Sequence, residues 1–172
     1  MRSISFNPAM LAAVRAGRKT VTRRRLPTHL PMQQEPDRYR FVGLSAPGAL
    51  FEDLHARPPA LLPPLPLPFG PPGTRLSIQE APEIHLEITS VRAEQVRCLT
   101  AADAVAEGIG HRATGQLRWG GVVPNAARPG TFRWYRSSVE AFQGLLDAIY
   151  PTAWTRNEWV WVSEFAVVPT VA

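Results

Sequence analysis

The sequence contains one cysteine, Cys98, so no disulfide can form within the chain. Its four histidines are scattered, without the paired spacing a zinc centre needs, and neither a structural nor a catalytic metal is expected. No stretch approaches the roughly 18 apolar residues of a membrane-spanning helix, and the opening MRSISFNPAM has no apolar core of signal-peptide length. Internal repeats are lacking as well. These absences predict a cytoplasmic protein with no membrane partner, no metal and no cofactor.

What is present suits one globular domain over residues 1–172: 45% of the residues are hydrophobic and 19% charged, enough to bury a core. A net charge of +5 and a pI near 10.3 favour an anionic partner, with nucleic acid or a nucleotide the commonest soluble case. The charge is concentrated early. In GRKTVTRRRL, residues 17–26, five cationic side chains and two threonine hydroxyls fall within ten residues.

The surrounding pattern places that cluster. Asn7-Pro8 reads as a capped helix start and Gly17 as its stop, giving a helix over about 8–16 that buries Met10, Leu11 and Val14. Thr20, Val21 and Thr22 are β-formers, so the basic run begins at a helix-to-strand turn and continues along a strand. Proline-rich sequence at about 44–73 predicts an irregular insertion that wraps the domain surface. Residues 75–79 and 85–89 alternate like half-buried strands, the second extending toward Val91 and Val96. Thr100, with Asp103 at the capping-box position, opens a helix through Glu107 that Gly108 stops. Residues 110–136 lack periodicity and read as a second long loop. Ser138 is expected to cap a helix with a Val139, Phe142, Leu146 and Ile149 stripe, and residues 158–165 to form a central strand covered on both faces. The order of elements predicts an α+β domain around a small, partly closed sheet with flanking helices.

Lys19, Thr22 and Glu107 invite a chemical reading. A threonine hydroxyl becomes a nucleophile when a base takes its proton, and a lysine serves as that base when burial or neighbouring cations lower its pKa. Arg18, Arg23 and Arg24 supply the cations. Glu107 sits where the helix dipole disfavours a carboxylate by a few tenths to about 1 kcal/mol, which suits an acid that protonates a departing amine. In a straight strand Thr20, Thr22 and Arg24 share a face and Lys19 points away, so the scheme requires Lys19 to lie in the turn and curl back. The same residues also read as a solvated helix-end cation and an ordinary sheet threonine.

GRKTVTRR after a short helix, PGTRL before a strand, HLEITSVRAEQVRCLTAADAVAEGI, and FQGLLDAIYP followed by NEWVWVSEF together resemble the ASCH domain family, relatives of the PUA-like β-barrels that bind RNA. The order of the four blocks is most similar to longer, phage-type members. The resemblance implies a PUA-like partly closed barrel. Small bacterial members remove the acetyl group from 4-N-acetylcytidine with a lysine as proton acceptor, a threonine as nucleophile and a glutamate as proton donor. Lys19, Thr22 and Glu107 occupy the matching positions. Ser77-Ile78-Gln79-Glu80 stands where many phage-type members have Trp-Val-Arg-Glu, so a ring and a cation are missing there. The resemblance implies an amidohydrolase of 4-N-acylated cytidine or cytosine, with Arg24 contacting substrate and Arg23, Thr20 and Glu80 as further binding candidates. Two alternatives stand beside it: a non-catalytic RNA-binding module using Arg18, Arg23, Arg24 and Arg25, and a ribonuclease using the same pocket. Trp119 is a candidate for stacking on a base.

Overall fold

The computed structural model describes residues 2–169. The N-terminal half comprises β1 (Arg2–Ile4), α1 (Pro8–Arg15), β2 (Val21–Arg25), α2 (Pro31–Gln34), β3 (Tyr39–Ser45), β4 (Gly48–Asp53) and β5 (Ala60–Leu61). There follow β6 (Arg75–Ile78), β7 (Ala81–Gln95), α3 (Ala101–Ala106), β8 (Gly110–Thr114), β9 (Gln116–Pro124) and β10 (Phe132–Tyr135). The chain closes with α4 (Ser138–Ile149), α5 (Ala153–Arg156) and β11 (Trp159–Val168).

The fold is mixed α+β, built on a curled five-stranded sheet in the order β1-β6-β7-β11-β2. β1 joins β6 in parallel and the remaining pairs are antiparallel. The predicted terminal strand is there, between β7 and β2, and Trp159 to Ser163 are buried without alternation, as expected for a strand covered on both faces. Local chemistry fixes the helices beside it. Asn7 Oδ1 accepts from the Met10 amide at 2.8 Å with Pro8 at the first helical position, and Gly17 takes a φ of 70° at the exit. Thr100 and Asp103 form the reciprocal capping box of α3. Glu107 is the C-cap of α3, one residue beyond the helix proper.

Two predicted loops contain sheet. Residues 110–136 fold into the antiparallel sheet β10-β9-β8. Glycines at 110, 115, 120 and 121 and a register shift between Phe132 and Trp134 break the alternation that marks a strand in sequence. The proline-rich insertion begins as the sheet β3-β4-β5. Only its later part is irregular, and there Leu62, Leu65, Leu67 and Phe69 pack down on the core. The cap of α4 is also corrected: Ser137 Oγ accepts from the Glu140 amide, whereas Ser138 is buried and donates to Ala101 O at 3.2 Å. The buried apolar side chains form one cluster, in which Trp159 meets Phe51 edge-on at 5.1 Å.

Candidate active site

β2 is the edge strand of the main sheet, and three short backbone contacts fix the residues just before it, one each to α1, the end of α3 and β11. The Lys19 amide donates to Ala13 O at 3.1 Å, Thr20 N to Ala106 O at 2.9 Å, and Phe165 N to Thr20 O at 2.9 Å. Lys19 therefore lies in the turn, beside Glu107. It is the chain's single lysine and is 3% exposed. Its Nζ donates to Val21 O at 2.7 Å, to Glu107 O at 2.9 Å and to Glu107 Oε2 at 2.8 Å. An ammonium has three donors and all three are satisfied. Burial nevertheless pushes the Lys19 pKa below the ordinary lysine value; the Glu107 carboxylate opposes the shift, and the Arg24 and Arg23 charges add to it.

Glu107 is itself shared. Its Oε1 accepts from Arg23 Nη1 at 3.3 Å, while Arg23 Nη2 pairs with Glu94 at 2.7 Å and approaches Asp103 at 3.5 Å. Arg92 carries the chain onward, from Glu94 at 3.2 Å to Glu164 at 2.6 Å. A buried pair of this kind costs desolvation of both ions and does not by itself argue for stability. Its consequence is geometric, since Glu107 is held from two sides by Lys19 and Arg23.

Lys19, Thr22, Arg23, Arg24 and Glu107 line one cleft of about 290 Å³, closed on its far side by Phe6, Met10, Phe142, Leu146 and Tyr150. Thr22 and Arg23 point to opposite faces of β2, so a cleft lined by both wraps the strand's open edge. That edge reconciles Lys19 with the Thr22 face. The Thr22 hydroxyl forms no hydrogen bond among the described residues. Arg24 donates to Ser5 O at 3.0 Å and keeps its buried Nε without a partner. The cleft thus offers a free hydroxyl, a guanidinium, a cation–carboxylate pair and an apolar wall.

Other expected residues lie elsewhere. Thr20 is exposed and outside the cleft: β2 begins one residue later, at Val21, and the Thr20 backbone is committed to Ala106 and Phe165. Glu80 is exposed too. It accepts from Ser5 Oγ and from the Phe6 amide at 3.0 Å, contacts that hold its carboxyl below the usual carboxylate range. It acts on the cleft only through the rim it fixes. The basic run is not an open phosphate cradle, because Arg23 is 7% exposed and Arg25 is bidentate on Glu158 at 2.6 and 2.8 Å. Trp119 packs partly buried on its own domain.

Ser163 is a residue the sequence reading missed. It is directly opposite Thr22 in the β2–β11 register, hence on the same face, and its buried Oγ has no partner. A lone hydroxyl inside the apolar run WVWVSEF was its only signal. Asp103 and Glu94, which hold Arg23, carried none.

Comparison with protein-family models, curated proteins and solved structures returns no match for this chain. No cluster of three or more His, Cys, Asp or Glu side chains suited to a metal occurs among the described residues. No helix among them is long and apolar enough to cross a membrane.

Proposed function

We propose that the protein is an amidohydrolase that removes an acyl group from the exocyclic amine of cytidine or cytosine, within a PUA-like fold of the ASCH type. The observation that carries this reading is the convergence of Lys19, Thr22 and Glu107 on one small cleft, with Lys19 Nζ and Glu107 Oε2 2.8 Å apart. Its volume of about 290 Å³ is near the lower end for ligand pockets, which suits a nucleobase or nucleoside.

In the proposed sequence the Lys19 amine accepts the Thr22 hydroxyl proton as Oγ attacks the acyl carbon. The C–N bond then breaks, and the departing N4 amine takes a proton from Glu107. Water hydrolyses the acyl-threonine ester, releasing the carboxylic acid and regenerating the hydroxyl. The amine and acid forms arise from the resting ion pair by transfer of one proton along the Lys19–Glu107 contact, with no change in net charge. Arg24, whose side chain lines the cleft, contacts the substrate, and Phe6, Phe142 and Tyr150 face the ring.

The test is incubation with 4-N-acetylcytidine and chromatographic detection of cytidine. Wild type is expected to release cytidine and Lys19→Ala to lose at least about a hundredfold in kcat/KM, the usual scale of a general base. No turnover by wild type, or cleavage of a labelled RNA in its place, would overturn the proposal.

A further inference from the structure

From Gly108 to Val139 the sequence has five arginines and neither aspartate nor glutamate. Arg112, Arg118, Arg128, Arg133 and Arg136 all belong to β8–β10 and its connections. None of the five forms an ion pair with a carboxylate among the described residues, whereas Arg23, Arg25, Arg38, Arg40 and Arg92 all do. Four are exposed and Arg118 is half-buried.

The register concentrates them. Arg112 lies directly opposite Arg118, and like charges facing one another destabilise a strand pair. Gly110 and Trp134 both pair with Gly120, so the indole shares the arginine face, and the Arg112 guanidinium sits 4.3 Å from its ring. A Cβ at Gly120 would come within 2.3 Å of Arg133 O, so no side chain can separate these groups. Trp119 and Tyr135 pair with each other and turn to the other face, packed against the core. A cleft of about 470 Å³ opens on the arginine side, lined by Arg112, Arg128, Arg133, Phe132 and Trp134 among others. It includes no acidic residue.

We propose that β8–β10 is a binding surface for single-stranded nucleic acid, its arginines contacting phosphates and the Arg112–Trp134 stack receiving a base. Uncompensated cations facing one another call for a polyanion, and flat rings among them call for one that carries bases. The surface is separate from the Lys19 cleft and stands whether or not that cleft is an amidase.

The test is fluorescence anisotropy with a labelled oligouridylate of about 12 nucleotides, and an oligothymidylate arm that is expected to bind comparably because no contact requires a 2′-hydroxyl. Wild type should bind at low salt with a log–log slope near −2, corresponding to about three phosphates. The double variant Arg112→Gln/Arg133→Gln, altered only at exposed side chains, should bind at least about tenfold more weakly, with the slope reduced by about 1.4. Trp134→Leu should weaken binding by about fivefold or more with the slope unchanged. Arg75→Gln, which removes one charge elsewhere, should bind as wild type. No wild-type binding, unaltered affinity in the double variant or in Trp134→Leu, or an equal loss in Arg75→Gln would each overturn the proposal.

Discussion

Lys19 is under two opposed demands. Removal from water favours the neutral amine, while three acceptors, one of them a carboxylate, favour the ammonium. Burial wins in direction, and the Lys19 pKa lies below the ordinary lysine value of about 10.4. If Lys19 is the base and Glu107 the acid, the active form carries the same net charge as the resting ion pair, so kcat/KM should fall at high pH, on a limb centred below that value, as the pair loses its last proton. Lys19→Arg keeps the charge and cannot deprotonate, so it should be inactive in protein that circular dichroism still shows to be folded. An active Lys19→Arg enzyme would make position 19 a fixed cation and assign the base elsewhere. Lys19, Thr22 and Glu107 were legible in sequence because each belongs to a short local motif. Ser163 was not, since it meets Thr22 only through the register of two strands about 140 positions apart. Thr20 failed for the opposite reason: alternation assigned it to the Thr22 face, but the strand starts after it.

Glu107 reaches the cleft because α3 ends where it does. Gly108 follows it with a φ of 101°, and a Cβ there would lie 3.1 Å from Ala13, 3.3 Å from Met10 Sδ and 3.4 Å from Lys19 Cβ. Gly108→Ala should therefore cost about 1–3 kcal/mol of stability through backbone strain. It should also lower kcat/KM, because the crowding falls on α1 and on Lys19 itself. Chemical denaturation and the cytidine-release assay measure the two losses, and a fully stable variant would show that this exit tolerates a side chain. The helices α1, α3 and α4 and the central strand were readable from caps and hydrophobic stripes, which are local, whereas the one-turn helices α2 and α5 carry neither. The sheets β3-β4-β5 and β8-β9-β10 were not, because the prolines that follow β4 mark the first as a loop and glycines interrupt the alternation of the second, while cross-strand pairing, a non-local property, stabilises both.

Across the whole molecule the net charge of +5 conceals two arginine populations. Arg23 and Arg25 of β2 and Arg92 of the central strand β7 are absorbed by carboxylates, and those of β8–β10 are not; composition alone cannot distinguish them. The absorbed set makes acid the condition that should loosen the fold. Asp103 is one such carboxylate: burial alone would raise its pKa, but hydrogen bonds from Thr100 and the Arg23 charge hold it below the usual range. Asp53, gripped by Arg38, is held lower still. A carboxyl with a lowered folded-state pKa binds protons more weakly folded than unfolded. Its stabilisation is therefore complete above the unfolded value of about 4 and is lost as pH falls through the folded one. The melting temperature should accordingly be nearly flat from about pH 5 to 8 and decline below about 4. Asp103→Asn removes one contributor while keeping its shape. Because its side chain is 28% exposed, the loss at pH 7 should be modest, about 1 kcal/mol, or a fall of roughly 2–4 °C for a domain of this size. Its acid decline should be shallower than that of wild type, so that the two melting curves converge toward low pH. Calorimetric scans at stepped pH values decide the matter: parallel declines in variant and wild type would mean that Asp103 contributes nothing to the acid sensitivity, and that the Arg23 network holds Glu107 in place without it.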